Sequence, residues 1–441
     1  MEINDKRALF RFVMPVALEN FSSVLIAMVL SAIIGTISYS ALAATSTANL
    51  VITLYSSLFS LLTVGSAVIT ARLVGANDRA EASRTVEQTI FLTIVLSLAL
   101  MVLSLALASP LMRLLMPNAE DQLYHESVRY FRVTSLCVPG MMIYCVLVSV
   151  LRASGDARMP LIITTIVNLV QIGSAYLFIV VLRWGVLGAA LPTVLCRTVG
   201  GALSLAVVLK VRQGFHVQFR KVFRPHRPTL LRIVRVGLPT TLESCFVQIG
   251  YIIANSLAVG LGTQAATIYQ IANNLQSFAN VPMTVGGAIA TTFIGQSLGA
   301  GHHQEARRNG YRILLYMLPV VGVLYVLMAT LSPWLAPLYS GDAAVVSGTV
   351  AAMWVLMGFA LPALSINVID PCLRVGGDVR FVMLETLVGV WLARLPLSWL
   401  LAYQLNMGIN GIYLANILSL VVRAMIGQAR YASGKWLYKK V

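Results

Sequence analysis

The chain has 441 residues, 58% of them hydrophobic and 11% charged, with a formal net charge of +16. A soluble globule carries about 25% charged residues, so a surface solvated mainly by water is excluded and lipid is the principal solvent. The basic excess alternates along the sequence instead of clustering, which points to anionic lipid as its partner and away from nucleic acid.

Crossing a bilayer takes about 20 apolar residues per helix. The opening MEINDKRALFR lacks a small-residue cleavage site, so it is expected to stay in the mature chain. Apolar runs then predict twelve spans, near 12–35, 43–70, 88–109, 127–150, 160–182 and 185–208, followed by 232–260, 265–295, 311–331, 345–369, 381–403 and 408–429. Basic residues gather on alternate connections: Lys6, Arg7 and Arg11; Arg72, Arg79 and Arg84; Arg152 and Arg158; the run from Lys210 to Arg227; Arg307 and Arg308; Arg374 and Arg380; and the tail. The opposite connections carry little beyond Arg113 and Arg183. By the positive-inside rule this is a multi-pass protein of the cytoplasmic (inner) membrane with both termini in the cytoplasm.

Four features recur in the same order. VMPVALENF around Pro15 and Glu19 returns as VGLPTTLESCF around Pro239 and Glu243, 224 residues later. LVGANDRAEASR returns as SLGAGHHQEARR, LRASGDARMP (151–160) as LRVGGDVR (373–380), and WGVLGAALP as MGINGIYLA. The chain is therefore a tandem duplication of a six-helix unit. It reads as an all-α membrane protein with an amino-terminal lobe at 1–208, a basic cytoplasmic linker at 209–229 and a carboxy-terminal lobe at 230–441. Six is even, so both lobes enter the membrane in the same sense, related by a pseudo-two-fold axis along its normal, with a cavity between them.

In each L-R-x-small-G-D-x-R copy, Gly155 or Gly377 suits the positive φ that ends a helix. Asp156 or Asp378 is expected to cap the following helix, and the flanking arginines to reach phosphate headgroups. The motif reads as structural, not catalytic.

R-x-x-G-D-x-R after the fourth and tenth spans, with Pro160 closing the first copy, resembles the multidrug and toxic compound extrusion (MATE) family. So do G-A-x(4)-E-A-x-R after the second and eighth spans, P-V-A-L-E-N opening the first, and TIVNLV in the fifth. The resemblance covers residues 8–430 or so. It implies two six-helix lobes forming a V-shaped central cleft, and export of organic cations and other drug-like molecules against an inward flow of H⁺ or Na⁺. Many members have an Asp fifteen residues after the first-span proline, where this chain has Leu30, and another four residues after the fifth-span Asn, where it has Ile172. Asn168 itself matches. Acids in the seventh and tenth spans, used by some sodium-coupled members, are represented by Glu243 and Asp370, though not at the matching turns.

Four of the sixteen acids lie inside spans: Glu19, Glu243, Asp370 and Glu385. A charge at the bilayer centre costs about 3 kcal/mol on insertion scales, so each needs a reason. Glu19 and Glu243 are repeat mates facing the proposed cavity, as a gate or cation attractor, or else they bond a neighbouring helix. Asp370 stands at an interfacial position before Pro371; Glu385 is expected to pair with a loop arginine. The ion-coupling candidates are Glu19, Glu243, Asn168 and Asp370. Arg197 and Arg423 read as anchors between or within lobes, and Arg394 as taking part of the role of a cation or, the favoured reading, satisfying helix carbonyls. Hydrogen-bonding and soft aromatic candidates for substrate are Asn20, Met28, Asn49, Tyr55, Gln171, Asn273, Asn274, Gln276 and Phe278; each also serves as helix–helix glue.

The five cysteines lie in or at the edges of spans without metal-ligand spacing, and adjacent His302 and His303 would face different ways on a helix, so no metal or other cofactor is expected. No grouped catalytic constellation marks an enzyme. The reading is a secondary active efflux transporter, a monomer in lipid, exchanging a small molecule for H⁺ or Na⁺ by alternating access. The alternative is a dedicated exporter or flippase of a natural product or lipid-linked precursor.

Overall fold

The computed structural model describes residues 6–35, 39–115, 121–210 and 215–439, which are helical throughout apart from turns and short connections. The first half holds α1 (Lys6–Gly35), α2 (Tyr39–Gly75), α3 (Arg79–Leu115), α4 (Asp121–Ser135), α5 (Val138–Ala153), α6 (Arg158–Ala175) and α7 (Gly185–Lys210). A short α8 (Phe219–Val222) leads into α9 (Arg227–Gly260). The second half continues with α10 (Thr263–Ala279), α11 (Val281–Ile289), α12 (Gly295–Gly299), α13 (His303–Leu335) and α14 (Ala343–Leu356). It ends with α15 (Ala360–Val375), α16 (Val379–Leu387), α17 (Leu395–Trp399) and α18 (Gly408–Ala432).

Among the described residues nine helices are long and apolar enough to cross a bilayer, and two bent pairs raise the number to eleven. With α1, a 30-residue helix over the first predicted span, the helices match the twelve spans one for one. The bent pairs have a local cause. α4 and α5 meet at 48°, and α10 meets the next helix at 44°. Pro139 and Pro282 sit in the first turn of the second helix of each pair, where a missing N–H breaks the ladder of hydrogen bonds. Wide π-type turns end the fifth span at Tyr176–Val181 and the eleventh at Leu400–Gln404, 224 residues apart like the sequence repeats. A further one, Val388–Arg394, lies in mid-span.

The chain divides into two compact units, Phe10–Gly237, and Leu238–Val441 together with Met1–Leu9. In the first, α5 and α7 cross with almost no side chain between them. A Cβ on Gly140 would lie 2.7 Å from the Arg197 carbonyl oxygen, and one on Gly201 2.7 Å from that of Gly140. In lipid, where there is no hydrophobic drive between helices, such small-residue approach supplies the packing energy. The basic stretch after residue 214 belongs to this unit and straps α3. The backbone N–H groups of His216, Gln218 and His226 donate to Ser83 Oγ, Glu87 Oε1 and Gln88 Oε1 at 2.8, 2.9 and 2.8 Å. Phe215, Val217 and Val222 are buried beneath it.

In the second unit α13, α15 and α18 form the core, and the tail folds back on it. Trp436 is buried, stacks on Tyr431 at 4.8 Å and donates from its indole N–H to the Tyr431 carbonyl at 3.0 Å. Both copies of the repeated motif end their helices as expected, with φ of 96° at Gly155 and 89° at Gly377. Asp156 then caps α6, its Oδ1 accepting from the N–H groups of Arg158 and Met159 at 3.0 and 3.1 Å. Asp378 does not cap α16. Instead it accepts 2.6 Å bonds from Arg430 Nε and Lys439 Nζ, because the tail brings two cations to it.

Candidate functional site

In the first unit α1 places Glu19 one turn beyond Pro15, facing α5 and α6. Its Oε1 receives hydrogen bonds from the Arg152 guanidinium and, at 2.9 Å, from Thr164 Oγ1. Tyr144 OH stands 2.7 Å from the same threonine hydroxyl, and the Arg197 guanidinium lies 5.9 Å from the Tyr144 ring. Asn168, one turn further along α6, donates to Ser22 Oγ at 3.5 Å. Glu19, Thr164 and Asn168 are all buried. A carboxylate held between a guanidinium and a hydroxyl is stable in low dielectric because its charge is both paired and hydrogen-bonded.

The second unit repeats the arrangement. Glu243 Oε1, on α9, accepts from Arg374 Nη2 on α15 at 2.6 Å and from Thr386 Oγ1 on α16 at 3.4 Å. Arg374 is the repeat mate of Arg152, and Thr386 of Thr164, each 222 positions on. The first arginine of the motif therefore serves the buried Glu of its own lobe, not a headgroup: chain length from the end of α5 or α15 suits the Glu one helix away.

Around this second triad the chain adds charges that the first unit lacks. Arg423 of α18 donates from Nη2 to Thr386 Oγ1 at 2.8 Å and to Asp370 Oδ2 at 3.1 Å. Its Nε lies 3.9 Å from Glu385 Oε1. Asp370, expected at an interface, is 2% exposed because the helices around it close over the Arg423 pair. Glu385 faces this span arginine, not one in a loop. Arg423 is thus an anchor within its own lobe, as expected. Arg394, 3% exposed, lies 4.4 Å from the Tyr251 ring centroid, so an aromatic face and not a row of carbonyls meets its charge.

The uncharged candidates disperse. Asn20 donates to the Val16 carbonyl of its own helix at 2.8 Å, and Tyr55 OH stands 2.6 Å from Ser104 Oγ. Gln276 donates to Tyr325 OH at 3.3 Å, which in turn donates to Asn280 Oδ1 at 2.7 Å. Asn274 is exposed; Gln171, Asn273 and Phe278 are half-buried. The side chains of Met28 and Asn49 lie outside the described residues. Leu30, at the position where an acid was sought, packs on the apolar cluster of Met112, Phe131 and Ile179. Sequence reasoning passed over Thr164, Thr386, Tyr325 and Asn280. For the two threonines the signal was present: they repeat at the offset of the two arginines.

A family model described as MatE fits the chain twice, over residues 15–177 and 239–400. The chain belongs to the MATE family. Among its relatives is the "Probable multidrug resistance protein NorM" of Thermotoga maritima, 25% identical over 439 residues, spanning 98% of this chain and 93% of that protein. Another is the "Uncharacterized transporter YisQ" of Bacillus subtilis, 24% identical over 408 residues, 90% of this chain and 88% of that one. Solved MATE structures share the fold at 20% identity. One, described as the "Outward-facing conformation of a multidrug resistance MATE family transporter of the MOP superfamily", covers 97% of this chain and 96% of its own with a TM-score of 0.88. A second, from Pyrococcus furiosus, is described by "Reverse polarity of binding pocket suggests different function of a MOP superfamily transporter" and covers 99% and 97% at 0.88. This MATE chain is accordingly a multi-pass membrane protein of an efflux-transporter family, and that family is not one of enzymes.

Proposed function

We propose that this MATE protein exports drug-like or cationic organic compounds in antiport with H⁺ or Na⁺, by alternating access, as a monomer in the cytoplasmic membrane with both termini in the cytoplasm. The observation that carries the ion-coupled reading is the burial of Glu19, Glu243, Asp370 and Glu385, carboxylates within the spans read from the sequence. Each would cost about 3 kcal/mol at the bilayer centre. Neutral side chains in place of both an acid and its arginine would pack the same helices without burying charge, which supports a role for the charge itself. Glu19, Glu243 and Asp370, with Asn168, are the coupling residues in this reading. Asn20, Met28, Asn49, Tyr55, Gln171, Asn273, Asn274, Gln276 and Phe278 are the substrate candidates.

A second reading, a dedicated exporter of an amphiphilic natural product or lipid-linked precursor, is favoured by a specific feature. At Leu30 the amino-terminal unit is apolar, and at Arg394 the carboxy-terminal unit carries a buried cation set on the Tyr251 ring. The solved structure from Pyrococcus furiosus, described as having a binding pocket of reverse polarity, supports weighing this reading.

Expression in a bacterial host stripped of its own efflux pumps separates the two. The antiport reading expects lower accumulation of lipophilic cationic dyes. Unchanged dye accumulation, with the protein present in the membrane and tryptophan fluorescence quenched by amphiphilic anions, would transfer the assignment to the dedicated exporter.

A further inference from the structure

The two buried triads differ in charge. Around Glu19 the acid meets Arg152, with Arg197 close by over the Tyr144 ring. In the carboxy-terminal unit Glu243, Asp370 and Glu385 stand against Arg374 and Arg423, three acids against two bases. The additions are unrepeated: at the mates of Asp370, Glu385 and Arg423 the first unit has Val148, Ile163 and Gly200. This cluster therefore holds one more negative than positive charge, on side chains that are almost wholly buried.

The surplus falls on Glu385. Glu243 has Arg374 at 2.6 Å and Asp370 has Arg423 at 3.1 Å. Glu385, its side chain 0% exposed, has only the Nε of an already engaged Arg423 at 3.9 Å. Among the described residues neither of its oxygens accepts a hydrogen bond. Gly427 on α18 faces it, where a Cβ would come within 3.2 Å of Oε2, so bare helix stands over the carboxyl. The ionisable groups that bear on it are Glu243 from α9, Asp370 and Arg374 from α15, and Arg423 from α18. An uncompensated buried charge costs several kcal/mol and is relieved by neutralisation.

We infer that the carboxy-terminal lobe holds one exchangeable proton, carried by Glu385, and that this proton is the coupling ion. Uptake forms one O–H bond on a Glu385 oxygen; release breaks it and returns the proton to water. A sodium ion is a poor occupant, since it would sit beside the Arg423 guanidinium and no group of acidic, histidine or cysteine side chains among the described residues is set to hold a metal ion, whereas a proton neutralises the acid where it stands. The inference rests on the ion-coupled reading above and narrows it to one ion and one residue.

Infrared spectra of the full-length protein in dodecyl maltoside, which has no ester carbonyl, read the C=O stretch of a protonated carboxyl directly. The expected result at neutral pH is one such band, shifted in D₂O, indifferent to replacing K⁺ by Na⁺, lost in Glu385→Gln and kept in Glu19→Gln. Glu385→Gln should fold, because it removes only the surplus charge; Glu385→Asp should restore the band. Absence of the band from the unsubstituted protein, or its survival in Glu385→Gln, overturns the assignment. In proteoliposomes loaded with a cationic dye, Glu385→Gln should lose stimulation of export by an imposed ΔpH. Full stimulation in that variant refutes the role of Glu385 and leaves antiport intact. A band without any ΔpH-driven export in the unsubstituted protein supports the proton site and removes the antiport reading.

Discussion

At the scale of residues, the informative unit is the Glu–Arg–Thr triad. Its glutamates were legible in the sequence as repeat mates after a proline. Its arginines were legible only as motif members, because headgroup contact explains a loop-edge arginine equally well until the neighbouring helix is placed. The first-unit pair is the cleaner test of the energetics, since the mates of Asp370, Glu385 and Arg423 there are the uncharged Val148, Ile163 and Gly200. Breaking a buried ion pair leaves an uncompensated charge and costs about 3–5 kcal/mol, while removing both charges costs far less. Arg152→Ala should therefore lower the thermal midpoint in detergent sharply, and Glu19→Gln/Arg152→Ala should recover most of it. A double variant no more stable than Arg152→Ala would mean that the pair contributes through packing and not charge.

At the scale of helices, composition and apolar run length placed all twelve spans, yet the bends and wide turns were not foreseen. Prolines were visible at 139 and 282, but a proline fixes only that a hydrogen bond is lost, and neighbouring helices decide whether the axis bends. Close helix crossings are similarly hidden, since glycine is frequent in membrane helices. The α5–α7 crossing offers a contrast that sequence alone could not supply. Gly140→Ala should push the two backbones apart and destabilise the first unit by about 1–3 kcal/mol, in the range of overpacked cores. Gly322→Ala on α13, where a Cβ meets nothing within 4 Å, should be neutral or stabilising by up to about 1 kcal/mol. Thermal midpoints of the two variants check both; equal shifts would show that the crossing is not tight. Asp378 carries a related lesson: its motif predicted a cap, and only the returning tail with Lys439 explains why it forms ion pairs instead.

At the scale of the whole chain, duplication is the property from which most else follows. It fixes an even number of spans per unit, equal turn geometry at Gly155 and Gly377, and equal triads. The copies diverge in charge: an apolar cluster at Leu30 in one, three acids against two arginines in the other. That divergence was written in the sequence as Glu385 and Arg423, but their meeting required the fold. An ion crossing with the membrane field gains about 2.3 kcal/mol per charge per 100 mV, enough for one proton per cycle to sustain a steep outward gradient. The most direct measurement is dye flux in proteoliposomes of the purified full chain under an imposed ΔpH, an imposed ΔpNa, or neither. Stimulation by ΔpH, with none by ΔpNa, is the result predicted here; equal flux under all three conditions would contradict it.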